Sequence, residues 1–142
     1  MIKKRGINAK ITGVEIWKNY RNQKWECYDE IVIEDIRDYL KKVKKKYDIV
    51  LLIDVLEHFS QEDGIQVLKS LIKITKKLLV VSTPVRKYPQ GSWRGNPHEE
   101  HKYIWSEKKL STFGLKNIYS AWIPTFTFWP PITKLGIYVL ER

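Results

Sequence analysis

Three acids close apolar runs in this chain: Glu15 ends "ITGVE", Asp35 ends "IVIED" and Asp54 ends "IVLLID". A carboxylate just past a strand leaves the sheet and offers two acceptor oxygens, which suits a pair of hydroxyls such as a ribose diol. In open parallel sheets, ligands lie at the carboxyl ends of the strands. Each acid also has a plainer use as a helix N-cap, a position that favours Asp. For Asp35 the two uses balance evenly. For Asp54 a cap fits less well, because apolar Val55 and Leu56 follow it and the next capping residue is Ser60. Three acids at comparable positions favour binding over three separate caps.

Glu57 and His58 follow Asp54 closely. An imidazole titrates near neutrality, so His58 is a catalytic candidate as a general base. A histidine that holds a loop is the preferred alternative. His98 and His101 bracket Glu99 and Glu100. Their HxxH spacing lacks the HExxH of zinc proteases and no third ligand is evident, so no metal site is expected. Trp105, Trp122, Phe126, Phe128 and Trp129 suit core and hairpin packing, whereas Trp93 and Tyr103 are expected to line a substrate mouth.

The elements that would position these residues follow from the pattern of apolar residues. Strands are expected over 9–17, 28–36, 47–55 and 78–84, and helices over 37–46 and 60–77. The third strand is apolar on both faces, as in a parallel sheet covered by helices on both sides. Ser60 with Asp63 three residues later marks a capped helix start, and Ile65, Leu68, Leu71, Ile72 and Thr75 fall on one face. Residues 85–105 read as a long loop of the kind that carries function. A short helix over 106–114, stopped by Gly114, and two strands close the chain. The alternation argues for an α/β fold with a mostly parallel sheet.

Composition sets the outer bounds. A chain of 142 residues with 43% apolar and 13% aromatic content is expected to form one globular domain spanning 1–142. Cys27 is the single cysteine, which excludes an intrachain disulfide and a cysteine zinc site and fits a cytoplasmic location. No apolar run reaches the roughly 20 residues of a membrane span. The net charge of +10 raises a nucleic-acid partner. Much of it is lysine at the ends of two helices, in "KKVKKKYD" and "KITKKLL", which favours a solvated face instead.

The order of these motifs resembles a class I S-adenosylmethionine-dependent methyltransferase of the small-molecule type, over almost the whole chain. "ITGVEIW" is similar to the family's second strand, whose acid binds the cofactor ribose; the resemblance gives that role to Glu15, with Ile16 beside it. "IVIEDIRDY" is similar to the third-strand motif, which puts Asp35 at the adenine amino group and Ile36 on the ring. "YDIVLLIDVLEHF" is similar to the fourth strand, with Asp54 and Val55 near the methionine end of the cofactor and a strand buried deep in the sheet. "LLVVSTP" resembles the fifth strand, and the last two strands resemble the closing antiparallel hairpin. The resemblance therefore implies a Rossmann-like sheet with helices on both faces, S-adenosylmethionine as cofactor, and a methyl acceptor as partner.

One departure bears on function. The family's first strand ends in a glycine-rich loop, and no such loop stands in "MIKKRGINAKITG". The chain resembles a form that begins after that strand, truncated at its N-terminus. The strand lies mid-sheet in the family, so its loss leaves backbone groups to be satisfied otherwise. The second and fourth strands pair directly, or a second copy or a partner chain completes the sheet, or the chain is a fragment. A catalytically silent binding or scaffold domain is the alternative function that this departure supports.

Overall fold

A computed structural model of the chain describes residues 8–20, 23–86, 90–92, 95–124 and 132–142. Its strands are β1 (Thr12–Glu15), β2 (Glu30–Ile33), β3 (Tyr47–Ile53), β4 (Thr75–Pro84), β5 (Lys116–Pro124) and β6 (Ile132–Glu141). Its helices are α1 (Ile36–Lys42), α2 (Gln61–Ile74) and α3 (Glu107–Ser111), with short 3-10 turns at Gln23–Cys27, Leu56–His58 and Pro97–Glu99. The chain forms two compact units, Met1–Val43 and Lys44–Arg142.

In the first unit β1 and β2 pair in parallel, Thr12 opposite Glu30 through Glu15 opposite Ile33. A side chain at Gly13 would place its Cβ 2.9 Å from the Tyr28 ring, so glycine is what lets that ring lie against β1. The Asp35 carboxylate accepts from the Arg37 backbone N–H at 2.8 Å and caps α1. The helix runs only to Lys42, short of the expected 46, and none of its residues is buried. Lys41 and Lys42 end it, where cations suit the helix dipole, and they pair with Asp38 and Glu34.

In the second unit the strand order is β3-β4-β6-β5. β3 and β4 are parallel and joined by α2; β4–β6 and β6–β5 are antiparallel, the latter being the closing hairpin. The Ser60 hydroxyl accepts from the Asp63 N–H, as the sequence predicts. The buried face of α2 is Gly64, Val67, Leu68 and Leu71, turned from the expected one towards Gly64. The cause is Trp105: an added Cβ on Gly64 would lie 2.2 Å from the indole, so only glycine admits this contact. The indole N–H donates to the Leu56 carbonyl at 3.0 Å, and Trp105 is wholly buried. Strand β4 begins at Thr75, three residues before the expected 78, because Thr75 already pairs with Tyr47. The Thr75 hydroxyl donates to Leu71 O at the end of α2, and the Arg142 guanidinium donates to Ile72 O and Thr75 O.

The core of this unit is Leu52, Leu79, Val81, Thr83 and Tyr138 on one sheet face, closed by α2, Leu110 and Leu115. The opposite face of β3 departs from expectation. Ile49, Leu51 and Ile53 are 58%, 59% and 47% exposed, so β3 is buried on one face only and is not deep in a sheet. It is also the edge of its sheet among the described residues. Among the described residues, β1 pairs with β2 in a two-stranded sheet and β3 pairs with β4 in a four-stranded one. No helix among the described residues is long and apolar enough to cross a membrane.

Candidate functional site

The three strand-end acids have different surroundings. Glu15 ends β1, half-buried, and its Oε1 accepts from the Trp17 N–H at 2.7 Å. Ile16 beside it is exposed. Asp35 is committed twice over: besides the cap on α1, it receives the Arg37 guanidinium at 2.6 Å. Ile36, the first residue of α1, is half-buried.

Asp54 stands at the carboxyl end of β3 with φ of 51°, the one left-handed residue other than glycine among those described. Asp tolerates this region better than most residues because its short polar side chain bonds locally. Here the bond is to Ser82 on β4, whose hydroxyl donates to Asp54 Oδ1 at 2.7 Å. The Asp54 N–H is 3.1 Å from the Ser82 carbonyl and from its hydroxyl oxygen. An acid is thus held in a costly conformation by a serine at the end of the adjacent strand, and such conformations cluster at functional sites. Val55 follows, half-buried.

Glu57 and His58 occupy the turn after β3. Glu57 is buried at 3% exposure, and Oε2 accepts from the Thr83 hydroxyl at 3.1 Å. Burial pushes its carboxyl up to about 7, with the charges of Asp54 and Glu99 adding to the shift and hydrogen bonds from its own backbone and Thr83 opposing it. Its carbonyl accepts from Lys102 N and Tyr103 N, which ties the turn to the loop that the sequence marked as functional. His58 Nδ1 lies 3.1 Å from the Glu100 carbonyl and donates to it, leaving Nε2 as the acceptor nitrogen. The same loop brings His101 to His58, ring centroids 5.0 Å apart and edge-on. Glu57, His58 and His101 together offer ligand atoms within 4.8 Å of one another. His101 N donates to Gln90 O, and Gln90 Nε2 donates to Glu99 O, so both sides of the loop are fastened.

His98 does not join His101. It lies in the turn Pro97–Glu99, where its N–H is capped by the Asn96 side chain at 3.0 Å. Tyr103 is half-buried and packs edge-on against Trp105, centroids 5.1 Å apart. Trp93 lies outside the described residues. Ser82 and Thr83 were not singled out by sequence, although "VVSTP" has the same form as the acidic strand ends: an apolar run closed by polar side chains.

No protein-family model matches the chain, and neither does any curated protein sequence. Solved structures do. The chain is similar to magnesium protoporphyrin IX methyltransferase from Synechocystis PCC 6803, solved with S-adenosylmethionine bound: TM-score 0.58 at 17% identity, over 94% of this chain and 60% of that one. It is similar to TehB from Haemophilus influenzae with TM-score 0.67 at 10% identity, over 95% and 50%. A methyltransferase from Archaeoglobus fulgidus gives TM-score 0.54 at 17% identity, over 98% and 79%. The chain thus spans only about half to four fifths of these proteins' lengths. With its parallel β3–α2–β4 unit, its closing hairpin and its polar groups at strand ends, the chain has the class I S-adenosylmethionine-dependent methyltransferase fold.

Proposed function

We propose that this chain binds S-adenosylmethionine and transfers the methyl group from the sulfonium sulfur to an acceptor nucleophile. The observation that carries the proposal is Asp54, held left-handed at the end of β3 by Ser82, in a fold shared with a methyltransferase solved with that cofactor. The donor carries its own activation, so the protein has chiefly to align donor and acceptor. Glu15 takes the ribose diol with Ile16 beside it, Asp35 and Ile36 take the adenine, and Asp54 and Val55 take the methionine end. Acceptor binding is assigned to Tyr103 and Trp93, and His58 is the candidate base. Titration calorimetry with S-adenosylmethionine and its demethylated product, at protein near 100 μM, the weak end of small-ligand binding, tests this. Saturable heat is expected, and its absence removes the proposal. If Glu15 holds the diol, Glu15→Ala loses two charge-assisted bonds of roughly 1.5–3 kcal/mol each, and affinity falls about tenfold to several hundredfold.

A second reading is favoured by the division of the strands into two sheets and by the exposed apolar face of β3. On it the chain is a silent scaffold domain that associates through that region with a second copy or another chain. It predicts oligomers in light scattering and no cofactor heat. A monomer that binds the cofactor tightly eliminates it.

A further inference from the structure

His58, the candidate base, also stands in a cluster with Glu57 and His101. Two imidazoles and one carboxylate, drawn from segments 43 residues apart in sequence, converge with ligand atoms within 4.8 Å. Two of the three ligand side chains are braced by a hydrogen bond. His58 Nδ1 donates to the Glu100 carbonyl, which leaves Nε2 as the ring's acceptor nitrogen. This is the second-shell bond that fixes a ligating imidazole's tautomer in metal sites. The Thr83 hydroxyl donates to Glu57 Oε2 and holds the carboxylate from the β4 side. The backbone of His101 is fastened to Gln90 O, and that of Glu57 receives Lys102 N and Tyr103 N. Among the described residues no lysine or arginine pairs with Glu57, so a buried carboxyl stands without a counter-cation, an arrangement that is costly when the group is ionised.

We propose that Glu57, His58 and His101 bind a first-row divalent cation of the zinc type. Imidazole nitrogens select such ions over magnesium and calcium, which take all-oxygen sets. Three protein ligands leave a fourth position for water or another oxygen ligand, the pattern of open rather than structural sites. Zinc bonds of about 2.0–2.1 Å put tetrahedral ligand atoms roughly 3.3 Å apart, so the farthest pair must close by roughly 1.5 Å. Side-chain rotations of Glu57 and His101 supply a movement of that size. The bound ion would also clamp the turn after β3 to the loop that carries His101.

The test uses untagged protein treated with a chelator, and no S-adenosylmethionine, so its outcome is independent of the methyltransferase proposal. Zinc is titrated by calorimetry, and cobalt is added as a visible-absorption probe. One equivalent of each per chain, a rise in Tm with zinc, and the intense visible bands of four-coordinate cobalt are expected. His101→Ala should weaken zinc at least about tenfold to a hundredfold, the loss that removal of an outer partner alone produces. His98→Ala, three residues away and outside the cluster, should leave affinity unchanged. Glu57→Gln keeps an acceptor for Thr83 and removes the anionic ligand, and should weaken zinc to a similar degree even if His101→Ala fails to fold. No binding at 100 μM zinc overturns the proposal. So does an equal loss in His98→Ala, or an unchanged affinity in Glu57→Gln.

Discussion

In the first unit the acid after β2 caps a helix and pairs with Arg37; in the second the acid after β3 sits in left-handed backbone and is held by a serine. The two look alike in sequence, each an acid closing an apolar strand. What separates them is packing. Every apolar residue that is fully buried among those described, from Leu52 to Tyr138, belongs to the second unit. A strained residue persists only where its surroundings over-determine it, and among the described residues only the second unit has a core able to do that. Among the described residues the first unit has a two-stranded ladder four residues long and a short helix with no buried residue, and its acid caps that helix.

The strongest way to break this contrast is to remove the largest side chain in the core. Trp105→Ala should lower unfolding stability by about 3–5 kcal/mol, from lost burial and the cavity left against Gly64. Val14→Ala, at a half-buried position of β1, should cost roughly 1 kcal/mol or less. Urea denaturation of both variants measures this, and equal losses would mean that the first unit has a core of its own.

Next in size is the pH response of Glu57, read in metal-free buffer. Its folded carboxyl titrates at about 7, above an ordinary carboxyl in the unfolded chain. Below about pH 4 both states hold the proton and its stabilising effect is fully present. As pH rises, the unfolded chain releases the proton first, and stability falls until the folded carboxyl ionises near 7. The loss is on the order of 3 kcal/mol. Glu57→Gln should therefore have a flatter profile than the wild type between pH 4 and 8. Parallel profiles would show that Glu57 is not desolvated in solution.

The first unit offers the smaller counterpart. Asp35→Ala removes the α1 cap and should cost about 1 kcal/mol, within the range of 0.5–2 kcal/mol for such changes. Circular dichroism during a denaturant titration detects the change in midpoint. Because the proposal places Asp35 at the adenine, cofactor affinity should fall as well, and an intact affinity would leave Asp35 as the cap alone.

Much of the fold was legible because it rests on local signals. The Ser60 cap, the apolar run of β3 and the end of β4 at Pro84 each follow from a few neighbouring residues, whereas α3 ends at Ser111, ahead of the expected stop at Gly114. The parts that were not legible depend on residues far apart in the chain. The rotation of α2 arises from Trp105 meeting Gly64 across 41 positions, and the early start of β4 arises from Thr75 pairing with Tyr47. The exposed face of β3 shows the same limit, since an apolar run records that a strand is suited to burial and not what covers it. At the site, spacing related His101 only to His98 in the same loop, and no metal site was expected from that pair. The structure joins His101 to Glu57 and His58, and nothing in sequence spacing relates those positions.

The smallest expected effect on stability bears most directly on what distinguishes Asp54. Asp54→Asn keeps a residue that tolerates left-handed backbone, and keeps an oxygen to accept from Ser82 at the 2.7 Å position. Stability should change by no more than about 0.5 kcal/mol, as for substitutions that break no named interaction. What the variant does remove is the negative charge at the end of β3. If that charge meets a ligand, affinity for S-adenosylmethionine drops by about tenfold or more, the worth of one charge-assisted hydrogen bond. If Asp54 serves only the turn, affinity holds and the variant is indistinguishable from wild type in both measurements. A fall in stability with affinity intact would place the charge in the architecture of the sheet and make Asp54 the counterpart of Asp35 after all.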